Sequence, residues 1–163
     1  MRRSSGFTIV EIIVVLLLIS ILAATVLGRS ITSSTIDLNS ATDKVRNQLR
    51  YAQSQAMKRT DAVWGIESDG SGQYWLFRAT PSATLQVVIP GGDYASGSTI
   101  SFADLGANLN KFTVVFDWLG RPYKAQTSGV PNSPVDASDN PIVRVSKGEE
   151  RQITITPETG LIR

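Results

Sequence analysis

The sequence predicts an α+β fold: a long N-terminal helix, membrane-spanning in its first half and amphipathic in its second, packed against an antiparallel β-sheet domain. Three observations carry this. Residues 7–27 form an apolar run holding one charge, Glu11. Apolar residues then recur at three- and four-residue spacing as far as Ala56. From Ala62 the chain turns to short β-type runs separated by turn residues.

The apolar run reads FTIVEIIVVLLLISILAATVL. As a helix rising about 1.5 Å per residue, it spans roughly 30 Å, the thickness of bilayer hydrocarbon. Arg2 and Arg3 precede it, which holds the N-terminus in the cytoplasm and sends the remainder across. A secretory signal would have a shorter core followed by a small-x-small cleavage site. Ala23-Ala24-Thr25 is a poor such site, whereas Gly6 stands before the run, where a cut keeps the helix. The expected division is a leader at 1–6, a transmembrane helix at 7–28, an amphipathic extension at 29–61 and a β-rich globular domain at 62–163.

In the extension, Leu38, Ala41, Val45, Leu49, Ala52 and Ala56 share one face, read as packing against the domain's own sheet. Ser30 to Thr35 are weak helix formers, so the helix is expected to loosen there. No proline occurs before Pro81.

Strands are expected at Ala62–Glu67, Gln73–Ala79, Thr84–Ile89, Thr99–Phe102, Phe112–Asp117, Ile142–Ser146 and Gln152–Thr156. Ser68 to Gly72 reads as a hairpin turn, and Pro90–Asp93 and Pro131–Pro141 read as loops. Gly120 and Gly160 are expected to supply positive φ in turns. Trp64, Trp75 and Trp118, in or beside strands, are expected in the core rather than on a binding platform.

Lys plus Arg is 16 and Asp plus Glu is 14. Loss of residues 1–6 removes Arg2 and Arg3, leaving 14 of each and a formal charge of zero. Whole-molecule attraction to phosphate is therefore not implied. The chain has neither cysteine nor histidine. Disulfides, thiol catalysis, zinc sites of the usual kinds and histidine acid–base chemistry are excluded. No nucleophile–base pair, phosphate-binding glycine loop or metal triad is visible, so no catalytic residue, metal or cofactor is assigned and no enzyme activity is expected.

Glu11 is the informative charge. A carboxylate in hydrocarbon costs about 2.5–3.5 kcal/mol on insertion scales and usually has a partner. Snorkelling from a helix end would account for the charge, but not for its distance from Gly6-Phe7. Gly6-Phe7-Thr8-Ile9-Val10-Glu11 resembles the prepilin motif. The resemblance implies cleavage between Gly6 and Phe7 by a prepilin peptidase, N-methylation of Phe7, and a role for Glu11 in filament assembly. The free amine of an incoming subunit would pair with a neighbour's Glu11, making it a register device more than a source of net stability.

Further along, residues 49–59 (LRYAQSQAMKR), 116–122 (FDWLGRP) and 153–163 (ITITPETGLIR) resemble the helix end, strand–turn–strand signature and closing strand of GspH/FimT-type minor pilins and pseudopilins. That resemblance implies a minor pseudopilin of a type II secretion system at or near the tip of a periplasmic pseudopilus. Its setting would be the inner membrane, single-pass, with the domain in the periplasm. Its partners would be other pilins or pseudopilins, the prepilin peptidase, and secreted substrates or the outer-membrane channel. The alternative is a FimT-like minor pilin of a type IV pilus that binds DNA through Lys44, Arg46, Arg50, Lys58 and Arg59, against a plain solvated helix face. Asp136, Asp139 and Asn140 share one loop of the kind calcium uses, although their spacing fits no EF-hand and polar turn chemistry explains them equally.

Overall fold

The computed structural model describes residues 8–88, 94–96, 98–102, 105–140 and 142–163, with the side chains of all of these except 26–34 and 94–96. The chain divides into two units, residues 1–36 and 37–163. One helix, α1 (Ile9–Lys58), contributes to both.

Ser30 to Thr35 lie within that helix, against the expected loosening. Their propensity deficit is only tenths of a kcal/mol per residue, and helix propagation between good formers absorbs it. In the first unit, α1 carries the apolar run. In the second, its predicted stripe is the core: Ala41, Val45, Leu49, Ala52 and Ala56 are completely buried and Leu38 nearly so. Thr42, also buried, satisfies its hydroxyl by donating to the Leu38 carbonyl at 2.7 Å.

After the helix come β1 (Val63–Asp69), β2 (Gln73–Ala79), β3 (Thr84–Val87), β4 (Tyr94–Ser96), β5 (Thr99–Ser101), β6 (Asn108–Leu109), β7 (Lys111–Phe116), β8 (Pro122–Thr127) and β9 (Val130–Pro134). A 3-10 turn at Ala137–Asp139 follows, then β10 (Val143–Lys147) and β11 (Glu149–Ile153). All pairings are antiparallel. The larger sheet runs β4-β5-β2-β1-β7-β8-β9, with β3 also on β2, and the smaller runs β11-β10-β6.

Alternation along the central strands builds two clusters. Trp64 and Ile66, Tyr74 and Leu76, and Phe112, Val114 and Phe116 turn to the main core. There they meet the α1 stripe and Val143, Val145, Ile153 and Ile155 of the smaller-sheet region. Val63, Phe77, Ala79 and Val115 face the other side and pack with Trp75 and Tyr123.

The structure corrects several sequence expectations. Pro131 to Pro134 are strand, not loop: β9 pairs with β8 through Tyr123↔Pro134, Ala125↔Asn132, Gln126↔Pro131 and Thr127↔Val130. Two prolines are tolerable there because β9 is the outer strand, where an N–H is dispensable. Strands β4 and β6 were also not expected, and β8 was expected only through the strand–turn–strand resemblance at residues 116–122. The last predicted strand begins earlier, at Glu149, because a tight turn at Gly148 pairs Lys147 with Glu149 directly. Its expected end, Thr154 to Thr156, instead pairs with the C-terminal residues, Thr154 with Arg163 and Thr156 with Leu161. The Ser68–Gly72 hairpin stands as expected, with Asp69 accepting from the Ser71 N–H at 2.8 Å. The Pro90–Asp93 loop and the Ile89 strand end lie outside the described residues.

Candidate functional site

Gly6 and Phe7 lie outside the described residues, so the site begins at Thr8. Its hydroxyl accepts the Glu11 N–H at 3.3 Å, half of a capping box with Glu11 at the third helical position. A carboxylate there also faces the positive end of the helix dipole. Among the described residues the Glu11 side chain has no hydrogen-bond or ion-pair partner.

The other polar side chains of the run are satisfied within the helix. Ser20 donates to the Leu17 carbonyl and Thr25 to the Leu22 carbonyl, both at 2.8 Å. Large apolar side chains from Ile9 to Leu22 are 48% to 78% exposed. Leaving them in water forfeits on the order of 10 kcal/mol at roughly 1–2 kcal/mol each. That equals the net stability of a typical domain, so a surface of this kind calls for cover. Among the described residues no helix is long and apolar enough to cross a membrane.

The basic residues of α1 do not form one uniform face. Arg46 is paired with Asp43. Arg50, one turn on, donates to the Ile162 carbonyl at 3.1 Å and so holds the C-terminal segment. Lys44 stands about 200° around the helix from Arg46. Lys58 and Arg59 are exposed at the helix end, with no ion pair among the described residues.

Asp136, Asp139 and Asn140 carry out turn chemistry. Asp136 caps the 3-10 turn and accepts from the Ser138 N–H, while Asp139 accepts the Asp136 N–H in return, both at 2.8 Å. Asp139 also pairs with Lys124 at 2.8 Å. Asn140 clamps Ile155 through both backbone groups, at 2.9 and 3.0 Å. The carboxylate and amide oxygens that calcium would use are thus engaged by the protein itself.

The β7–β8 turn is the most strongly specified point of the domain. Asp117, 5% exposed, accepts the Leu119 N–H at 2.9 Å, the Arg121 N–H and Nε–H at 2.8 Å and the Tyr123 hydroxyl at 3.3 Å. From α1, the Gln53 amide donates to the Gly120 carbonyl at 2.9 Å and the Gly160 carbonyl at 3.0 Å. One side chain thereby joins the turn and the C-terminal loop to the helix. The positive φ expected of Gly120 and Gly160 is present, at 79° and 65°. Sequence reading missed Asp117, although Asp and Gly at the ends of a four-residue turn are its signature. It also missed Gln53, for which no local signal exists.

The tryptophans separate. Trp64 is core and Trp75 half-buried, but Trp118 is 60% exposed, against expectation. It lies past the end of β7, at the turn's apex, where strand alternation no longer dictates direction.

Residues 1–27 match the family model described as the prokaryotic N-terminal methylation motif. The match supports a type IV pilin-like or pseudopilin precursor cut by a prepilin peptidase and assembled with other pilins. No curated protein and no solved structure matches the chain.

Proposed function

We propose that this chain is a structural minor pseudopilin of a type II protein secretion system, cleaved between Gly6 and Phe7, N-methylated at Phe7 and incorporated at or near the tip of a periplasmic pseudopilus. The observation that carries the reading is the first helical turn. A lone carboxylate without a partner among the described residues, Glu11, heads a run of exposed apolar side chains whose other polar groups are already satisfied.

In the precursor, the bilayer covers the run, with the helix spanning the inner membrane once and the β-rich domain in the periplasm. In the filament, the same side chains pack against those of neighbouring subunits. Removing residues 1–6 exposes the Phe7 amine, which seeks a neighbour's Glu11 in low dielectric. Such a pair adds little net stability, but breaking it by removing one partner costs about 3–5 kcal/mol. A subunit that docks out of register leaves both charges unpaired, so the pair selects register. The main core then carries the domain as a preformed body, as a structural subunit requires.

The test is crosslinked pull-down of the native chain from membranes, with mass spectrometry of partners and of the chain's own N-terminus. Secretion-system pseudopilins together with a methylated Phe7 are expected. Pilus subunits as the partners would replace the reading with a FimT-like minor pilin. An intact or signal-cleaved N-terminus would overturn both.

A further inference from the structure

Five of the exposed apolar side chains in the second unit lie on or beside the end of α1, the β7–β8 turn and the segments against it. Met57, Trp118, Leu119, Val130 and Leu161 are each about half exposed or more. Met57, at the end of α1, reaches the β7–β8 turn: its sulfur is 3.0 Å from where a Cβ on Gly120 would stand. Leu161 follows Gly160, whose own Cβ position falls 2.2 Å from the Gly120 carbonyl oxygen. On the other side of the turn, Trp118 and Val130 share a cleft of about 230 Å³ whose apolar walls include Val63, Pro81 and Pro131.

This exposure is built. The hydrogen bonds on Asp117 and from Gln53 fix the backbone on either side of Trp118, so the indole is presented from a rigid turn. An apolar patch with a polar rim marks an interaction surface, and tryptophan is among the residues that most often dominate binding energy.

The rim says what binds. Lys58 and Arg59 connect Met57 to Thr60 and Asp61, which line the cleft. Neither has an ion pair among the described residues. Other charges nearby are already paired, Asp61 with Arg78 at 2.6 Å and Arg121 with Asp117 at 2.8 Å. Among the described residues, Lys58 and Arg59 give this rim two exposed cations without an ion pair, against one such carboxylate, Glu158, in the C-terminal loop. A nucleic acid suits it poorly, because the walls are apolar and no Lys or Arg runs along them to track a phosphate backbone.

We propose that this face docks a protein partner through an apolar side chain seated against Trp118 and carboxylates paired with Lys58 and Arg59. The inference stands on the second unit alone and holds whichever filament, if any, the chain enters.

The test places a photo-crosslinking phenylalanine analogue at position 118 or 130 of the full chain in its native membrane, with position 152 on β11 as control. The expected product from 118 and 130, but not 152, is a crosslink to a protein segment in which an apolar residue is flanked by Asp or Glu. A synthetic peptide of that segment should bind the full chain in detergent about tenfold more weakly after Trp118→Ala, and again after Lys58→Glu with Arg59→Glu. Trp118 is exposed, so Trp118→Ala should leave the unfolding midpoint unchanged, which separates lost binding from lost folding. Absence of crosslinks, crosslinks only to lipid or a second copy, or peptide affinity indifferent to the charge reversals would each overturn the proposal.

Discussion

At the scale of single residues, the chain concentrates its demands where α1, the β7–β8 turn and the C-terminal loop meet. Gly160 has no room for a side chain: an added Cβ would stand 2.2 Å from the Gly120 carbonyl oxygen and 2.5 Å from the Gln53 amide nitrogen, at a φ of 65°. Gly160→Ala should cost at least about 2 kcal/mol, since backbone strain alone contributes roughly 1–3 and the Gln53 contacts must also shift. Urea unfolding of the full chain in detergent, followed by tryptophan fluorescence, measures this directly. Asp117→Ala leaves the Leu119 and Arg121 N–H groups without their acceptor. A loss of about 2–3 kcal/mol is expected in the same assay, at roughly 1–1.5 per orphaned donor. A Gly160→Ala variant as stable as the wild type would mean that the loop is not held against the turn as described.

Elements hold together through one shared stripe and a few polar ties. Leu49 is completely buried between α1 and the sheets. Leu49→Ala should cost about 3 kcal/mol, within the range for buried leucine truncations that leave a cavity. An exposed-face control, Asn47→Ala, should change stability by less than about 0.5 kcal/mol. The 3-10 turn gives a pH signature. The Ser138 hydroxyl and N–H hold the Asp136 carboxyl below its ordinary value of 3.8, and the Asp136 N–H with the Lys124 ammonium does the same for Asp139. Because these folded values are depressed, the stability they bring is fully present above about pH 4. It is lost as pH falls through the lower folded values. The wild-type lead over Asp136→Asn with Asp139→Asn in urea midpoint should therefore persist at pH 6 and shrink as the solution is acidified below 4. A lead independent of pH would remove the electrostatic account.

For the whole molecule, the decisive property is the exposed apolar helix surface from Ile9 to Leu22 among the described residues. Glu11→Val should leave membrane insertion intact, since it removes the run's one charge, yet strongly impair incorporation into a filament. Membrane fractionation and filament purification read the two separately. Normal incorporation of the variant would remove Glu11 from the assembly mechanism. A variant lost from the membrane fraction would instead show that the carboxylate acts before assembly.

Much of this was legible in the chain alone, for local reasons. The apolar run from Ile9 and the stripe from Leu38 to Ala56 are periodic or positional patterns, and a helix converts them into a face by its own geometry. The Asp69 hairpin and the two glycine turns are likewise set by neighbours in sequence. What the tertiary structure decided is non-local. Strand β8 has only a short alternation, Tyr123 and Ala125 against Lys124 and Gln126, and is held by backbone partners in β7 and β9 on both sides. Gln53 gains its role from carbonyls 67 and 107 residues away. Trp118 is exposed because the turn leaves β7 before it, and among the described residues Lys58 and Arg59 have no ion pair, the nearby Asp61 being taken by Arg78. Sequence determined which segments could be helix and strand, because those depend on short-range sterics and hydrophobic period. Only folding determined which polar groups find partners and which apolar ones are left for another molecule, because that depends on distant segments meeting.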